Sequence, residues 1–445
     1  MRNICHDFLS EAVQHERRTI EKGTERHIMR EEQVEVLVVG AGPVGLLTAI
    51  QLAEAGLQVR IIDQEARTTA RSYACALHPR TLKLLDQMGL AAALLEHGRR
   101  IETISFYDRE LRCAEVKLSA LGGDFPFLLI LPQNAFEDVL EQRLRKAGVT
   151  VSWNHRFENL QEEGETVVAT VDELGGTATG YIVPHWETVV KRQFPIRARF
   201  LVGADGQGSL VRQRLGIEQT RVAGPDFFAA YEFESESKSE EEVRVVLGDA
   251  TTNVLWPLLG NKFRWTFQLV KSEGTSEFPQ KERRSVRFAQ PTVDEEIRQY
   301  VEKVAKQRAP WFSANVKAIT WCTDVVFEHR LARQFGRNRC WLAGDAAHQA
   351  GPVGVQSMNV GLSEAATLAQ NLRKILRERA PLESLDAYNR EGQEEWRRLL
   401  GLTGGLRAKA DTTVWVKERR ARILPCLPAS GADVSRLAGQ LGLDY

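Results

Sequence analysis

VEVLVVGAGPVGLLTAIQLAEAGLQVRIID, residues 34–63, is the stretch that decides the fold. A β-branched run, Val34 to Val39, meets the turn Gly40-Ala41-Gly42-Pro43-Val44-Gly45. A helical apolar pattern follows to about Ala55, Gly56 stops it, and a second apolar run ends on Asp63. The result is a β-α-β unit with GxGxxG at the strand-to-helix turn and an acid 18 residues past the last glycine. Gly40 makes the tight turn, Gly42 lets the backbone approach a pyrophosphate, and Gly45 lets helix and strand pack closely. The helix N-terminus offers unpaired N–H groups and a positive dipole end to phosphates. Asp63 is placed to accept hydrogen bonds from ribose hydroxyls. GxGxxG alone says little; between strand and helix, with its acid at this offset, it specifies a dinucleotide site.

Composition narrows the class. The chain has 445 residues, 43% hydrophobic and 27% charged, enough for a sizeable core and two or three domains. A formal net charge of zero gives no reason to expect a nucleic-acid partner. Six cysteines are scattered without CxxC or metal-ligand spacing, so no metal site is expected and the pattern fits a reducing compartment. The longest apolar stretch, Val36 to Ile50, is too short to cross a bilayer and is broken by Gly and Pro. The N-terminus is polar and shows no secretory signal. These features lead us to expect a soluble cytoplasmic protein, a monomer or a homodimer.

Residues 1–33 are rich in charge and sparse in apolar positions, and are expected to form a poorly ordered extension. Met29 stands five residues before the first strand and is a second plausible start, so 1–28 are expected to be dispensable. Past Asp63, Arg71 lies in a loop from which a guanidinium can reach a phosphate. Ile101 to Val116 alternates like sheet, and Phe127 to Leu131 is a short strand. In the helical stretch that follows, Asn134 and Glu137 have the spacing of a capping box, with Gln133 at its mouth. Phe200 to Ile217, FLVGADGQGSLVRQRLGI, is a buried strand that ends on Asp205-Gly206 before a helix beginning near Ser209. An aspartate there presents its carboxylate at a crevice.

From 225 to 329 the period is mostly two, with one helical segment, PTVDEEIRQYVEKVAKQ. YEFESESK reads as a charge-alternating edge. The aromatics of this layer suggest a lined pocket, with Tyr231, Trp256 and Phe267 as its candidate residues. Arg339 to Leu372 brings a strand to Gly344-Asp345, then a Gly/Pro loop, Gly351 to Gly354, and a further helix. Residues 382–422 read as helical, and a short helix follows at about 431–441.

GAGPVG with Asp63, GADG at 203–206, and AGDAAH with PVGVQSMN at 343–359 occur in one order. Together they resemble the class A flavin-dependent aromatic monooxygenases, the para-hydroxybenzoate hydroxylase-like family, over about residues 34 to 400. The resemblance implies an α/β fold in which a Rossmann-like FAD-binding domain carries an inserted β-rich substrate domain and a helical C-terminus. Its FAD domain would comprise 34–100, 132–224 and 330–400; the substrate layer 101–131 and 225–329; the C-terminal segment 401–445. By the same resemblance Gly40, Gly42 and Gly45 hold the FAD pyrophosphate and Asp63 the adenosine ribose. Arg71 and Gln133 contact FAD, Asp205 and Gly206 serve FAD and indirectly the nicotinamide cofactor, and Gly344-Asp345 bonds the ribityl chain. Gly354, Ser357, Met358 and Asn359 set backbone N–H groups against the pyrimidine side of the flavin, where the helix after Met358 stabilises negative charge.

The chain departs from the family pattern twice. Asp63 stands where Glu is common, and Gly354-Val355-Gln356-Ser357 replaces the usual GGQG. A single GxGxxG leaves NADPH or NADH to visit transiently. The implied cycle is hydride transfer to flavin N5, oxygen addition at C4a, and transfer of one atom of O2 to an electron-rich ring. No catalytic side chain is readable from these motifs, and His348 is expected to be structural. Two alternatives stay open: an epoxidase or hydroxylase of a non-aromatic or polyketide substrate, and a flavin-binding protein without turnover.

Overall fold

The computed structural model describes residues 32–68, 76–179, 185–236, 241–248, 250–269 and 291–445. Arg71 and the stretch 1–28 lie outside these residues. The first strand, Glu32–Val39, begins two residues before the expected boundary.

Its apolar half is fully buried, as a strand flanked on both sides must be. It pairs in parallel with His185–Gly203 on one side and Val59–Ile62 on the other. Cys340–Leu342 and Val151–Ser152 extend the parallel array outward. A long antiparallel hairpin, Thr166–Thr179 with His185–Gly203, carries the sheet past this core. Helix Pro43–Glu54 packs against helices Gln356–Glu378 and Gln133–Lys146. It buries Leu46, Leu47, Ile50 and Leu52 completely, each worth about 1.5–3 kcal/mol relative to exposure.

The turn before that helix fits only because of its glycines. Gly40 sits at φ 102°, and a Cβ there would overlap the Ala204 carbonyl. A Cβ at Gly45 would overlap the Gly40 carbonyl oxygen. Backbone from the first and second motifs is therefore in direct contact.

A second eight-stranded sheet runs in the order His348–Gln349, Val316–Ala332, Gln219–Ser235, Lys262–Leu269, Asn253–Pro257, Glu242–Val246, Thr103–Asp108, Leu111–Lys117. Strands Gln219–Ser235 and Val316–Ala332 run unbroken across the boundaries expected at 224 and 329. Likewise 101–131 divides: Thr103–Lys117 joins this sheet, whereas Arg99–Ile101 and Leu128–Ile130 pair in a three-stranded sheet with Ala76–Leu77. Tyr231 to Ser235 is not an edge, since strands lie on both sides of it. Its glutamates are tolerated because cations face them: Glu232 takes Arg264 at 2.9 Å, and Glu234 lies 3.8 Å from Lys262.

The two faces of this sheet have different fates. Tyr231, Phe233, Leu255, Trp265 and Phe267 pack with Val301, Val304 and Ala305 of helix Pro291–Arg308 in a core of their own. Phe228, Val254 and Trp256 face the main core. The helical reading of 382–422 is interrupted: helix Ser384–Leu399 ends, a short strand Arg407–Ala408 follows, and Val414–Ile423 resumes.

Replacing Gly45 by alanine should lower stability by about 2–3 kcal/mol, because the new methyl meets backbone that cannot move aside. Gly42→Ala should leave the urea midpoint of the cofactor-free protein unchanged, because a Cβ at Gly42 meets nothing within 4 Å. Comparing the two unfolding curves checks both expectations.

Candidate functional site

Register brings the scattered motifs together. Val39 pairs with Ile62 and with Gly203, and Gly203 pairs with Leu342. Gly40, Asp63, Asp205 and Gly344-Asp345 follow these residues, so all four motifs lie at one carboxyl edge of a parallel sheet. That edge is where open α/β sheets bind their ligands.

Asp63 is tied to the turn it serves. Ala41 N donates to Oδ2 at 2.6 Å and Glu65 N to Oδ1 at 2.9 Å. Each oxygen keeps a further lone pair for a hydroxyl donor. Asp205 is an internal brace: Oδ1 accepts from Ser209 Oγ at 2.6 Å and Oδ2 from Val211 N at 3.1 Å. Burial raises its pKa against these bonds, which favour the anion. Gly206 follows at φ 75° with open space around its Cα.

Asp345 differs from its neighbours. Gly344 and Ala346 are buried, but the Asp345 side chain is exposed. Protein nevertheless surrounds it, and this desolvation raises its pKa; His348 opposes the rise and Glu364 adds to it. The Asp345 carboxylate is thus accessible at the strand ends while its neighbours are buried.

Behind Asp345 stands a buried network that the sequence reading missed. Glu364 Oε2 accepts from Gly344 N at 3.1 Å and from His348 Nε2 at 2.7 Å, and Oε1 accepts from Trp396 Nε1 at 2.8 Å. The His348 ring stacks on Trp396 with centroids 3.8 Å apart. His348 thus braces the Gly344 loop from inside. Arg212, also buried, donates to Ala346 O at 2.9 Å and ties this loop to the Asp205 segment. A signal for Glu364 was present. It lies three residues after Gly361 and four before Leu368, on the buried face of its helix.

The loop from Gly351 is held at several points. Val355 adopts φ 51°, left-handed backbone for a β-branched residue, and caps the helix that begins at Gln356. The helix therefore starts earlier than the expected position after Met358. Ser357 and Met358 belong to its first turn, where N–H groups lack intrahelical acceptors, whereas Asn359, four residues past the cap Val355, is the first whose N–H has one. The two unusual side chains turn into protein: Val355 is buried, and Ser357 Oγ accepts from Ala350 N at 3.1 Å. Asn359 braces the loop from below, accepting from His78 N at 2.8 Å and donating to Val355 O at 2.8 Å. His78 Nε2 lies 2.8 Å from Gly354 O, so it carries the proton and donates. A Cβ at Gly354 would come 2.6 Å from Pro425 O of the C-terminal segment.

Gln133 begins helix Gln133–Lys146 after Pro132, and its Nε2 donates to Glu137 Oε1 at 2.7 Å. The expected capping box does not form: Asn134 lies inside the first turn, and Glu137 turns to Gln133. Tyr231 and Phe267 lie on the sheet face covered by helix Pro291–Arg308, where apolar packing claims them. Trp256 is on the other face but only 3% exposed. A cavity of about 230 Å³ instead opens beside the Gly351 loop. Phe228, Thr252, Gln268, Asp226 and His329 of the second sheet line it, with Pro352 and Val353 of the loop and Arg422, Pro425 and Cys426 of the C-terminal segment. Among the described residues no cluster of His, Cys, Asp or Glu is arranged to hold a metal.

The model of the FAD-binding domain family matches residues 33–401. The chain belongs to this family. Among curated relatives, 6-methylpretetramide 4-monooxygenase of Streptomyces rimosus is 30% identical over 83% of this chain, which spans 61% of that protein. Para-nitrophenol 4-monooxygenase of a Pseudomonas strain is 28% identical over 86% of this chain and 87% of its own length. The crystal structure of p-nitrophenol 4-monooxygenase from Pseudomonas putida superposes with a TM-score of 0.69 at 22% identity, covering 92% of this chain and 94% of that one. Aklavinone-11 hydroxylase, solved with FAD and aklavinone, gives 0.64 at 23% identity, over 84% of this chain and 68% of that one. These likenesses establish the FAD-binding fold.

FAD fits the geometry of the strand ends. Gly42 and Gly206 leave open backbone, a helix N-terminus faces the edge, Asp63 retains acceptor capacity, and Asp345 stands exposed at the strand ends.

His78 predicts a pH dependence. Burial lowers its pKa from 6.5 to about 4, against its bond to Gly354. The unfolded chain therefore binds this proton more readily. The stabilisation is complete above pH ~6.5 and is lost as pH falls toward ~4, about 3 kcal/mol in all. Between pH 7 and 5 the wild type should lose roughly 2 kcal/mol more than His78→Gln, which donates the same bond without titrating. Urea unfolding at the two pH values measures the difference.

Proposed function

We propose that this protein is an FAD-dependent, NAD(P)H-consuming monooxygenase that inserts one oxygen atom of O2 into a small phenolic substrate. The observation that carries this reading is the cavity between the Gly351 loop and the second sheet. At about 230 Å³ it exceeds the ~150 Å³ that holds benzene and falls short of the ~300 Å³ where drug-sized pockets begin. A single substituted ring fills such a space. Similarity to para-nitrophenol 4-monooxygenase over 86% of this chain supports the same substrate class. The reading keeps the protein in the cytoplasm, as a monomer or homodimer.

In this reading Gly40, Gly42 and Gly45 take the FAD pyrophosphate and Asp63 the adenosine ribose. Arg71 and Gln133 contact FAD further along its length. Asp205 and Gly206 form the second wall, with Asp205 acting through Ser209 and Val211. Asp345 bonds the ribityl chain. Gly354, Ser357 and Met358 offer backbone N–H groups to the pyrimidine side of the ring, and the Asn359 side chain holds their loop. When bound, the flavin supplies hydride acceptance and oxygen activation; the protein supplies orientation and a dry cavity. Phe228, Pro352 and Val353 exclude water from the substrate ring. The helix N-terminus at Gln356 stabilises negative charge on the adjoining ring edge.

An anaerobic titration with NADPH, then NADH, with and without a panel of phenols, tests this function. Flavin absorbance should bleach faster in the presence of one or more monocyclic phenols. No bleaching with either nucleotide would count against it. Asp345→Ala should weaken FAD binding by roughly 1–3 kcal/mol, the scale of a lost charge-assisted hydrogen bond; unchanged flavin occupancy after dialysis would refute the ribityl role.

A further inference from the structure

Resting on the phenolic reading above, we propose that His329 is the base that takes the hydroxyl proton of the substrate, with Asp226 and Gln268 as the residues that position it. His329 Nε2 lies 2.8 Å from Asp226 Oδ2. A carboxylate only accepts, so Nε2 carries the proton and Nδ1 keeps its lone pair. No described residue bonds Nδ1. Asp226 is oriented in turn: its Oδ1 accepts from Gln268 Nε2 at 2.8 Å, and Gln268 Oε1 accepts from Thr252 N at 2.8 Å. Gln268 and His329 thus donate to the two oxygens of one carboxylate, and that carboxylate fixes the tautomer.

Position favours the same role. His329, Asp226, Gln268 and Thr252 all line the cavity beside Phe228. The imidazole Cε1, between the two ring nitrogens, is 3.5 Å from where a Gly351 Cβ would stand. The ring is thus at the wall next to the loop proposed to carry the flavin. Strand Gln219–Ser235 slips register between Ala223 and Asp226, opposite His329 and Phe327. Such irregularities re-aim side chains beside active sites. His329 and Asp226 side chains are 16% and 34% exposed, enough for a ligand to reach them.

The step balances simply. The phenol O–H bond breaks, its proton joins Nδ1, and the electron pair stays on oxygen. Delocalised into the ring, that pair makes the ortho and para carbons better nucleophiles. Asp226 stabilises the imidazolium, which later returns the proton to the product oxygen or to water.

The test uses wild type, His329→Gln and Asp226→Asn, each loaded with FAD, against phenol, 4-chlorophenol and 4-nitrophenol, in order of rising acidity. For phenol, His329→Gln should lower turnover by about 10²–10³-fold. The loss should shrink along the series and be smallest for 4-nitrophenol, which ionises most readily. Asp226→Asn should follow the same trend with smaller losses. Bound to the oxidised protein, 4-nitrophenol should absorb as its phenolate in wild type at a pH where His329→Gln binds it as the phenol. Equal fractional losses across the three phenols, or the same ionised fraction in wild type and variant, would overturn the assignment while leaving the phenolic reading in place. Failure of wild type to bind all three would overturn both. Flavin content and melting temperature separate these outcomes from misfolding.

Discussion

The Gly40 carbonyl leaves no room for a side chain at Gly45, and the Ala204 carbonyl leaves none at Gly40. On these backbone-to-backbone contacts the rest of the arrangement depends. They bring the first helix and the second motif against the same turn. With that turn fixed, Val39, Ile62, Gly203 and Leu342 finish flush with one another. A third close approach extends the constraint: a Cβ at Gly361 would lie 3.0 Å from Gly344 Cα. The Val44 side chain closes the same junction, its Cγ2 2.9 Å from where a Cβ would stand at Gly344 or at Gly361.

Closely packed backbone still needs its polar groups satisfied, and here the braces are ionic. Glu364 is a buried carboxylate that accepts from three donors: a backbone amide, an imidazole and an indole. A lone carboxylate in that position would be prohibitive; three donors make it an anchor. Arg212 does the complementary work with a carbonyl of the same loop. Both side chains bond the Gly344-Asp345 turn from its buried side, leaving Asp345 the exposed side chain. The exposed group is rigid because its buried neighbours are bonded.

Much of this was legible in the sequence because the edge where the motifs meet is built of backbone. Glycines, strand ends and helix starts leave local signals: GAGPVG, GADG and AGDAAH each mark a strand end that the structure places at one edge. The cavity was less legible. Tyr231, Trp256 and Phe267 are large and apolar, but alternation along a strand does not say which face meets a helix and which meets a cavity. Helix Pro291–Arg308 covers the face of Tyr231 and Phe267, and the main core absorbs Trp256. Among the residues that do line the cavity, Asp226, Gln268 and His329 are polar and come from three strands. Their proximity is a product of pairing and of one register slip, neither of which a local pattern encodes. The capping box at Asn134 fails because the helix begins at Gln133 after Pro132, which leaves Asn134 inside the first turn.

The C-terminal segment converts the loop into a fixed wall. Left-handed backbone at a β-branched residue costs on the order of 1–3 kcal/mol and persists only where its surroundings over-determine it. Around Val355 they do. Asn359 donates to its carbonyl, His78 donates to Gly354 O, and Gln356 Nε2 donates to Leu424 O and Leu427 O. The same segment reaches the second sheet through Arg419, which donates to Asp108 and to Leu247 O. One stretch of chain therefore clamps the loop to the sheet and supplies Arg422, Pro425 and Cys426 as the cavity's third wall. The loop, the C-terminal segment and the sheet that bound the cavity are thereby bonded to one another.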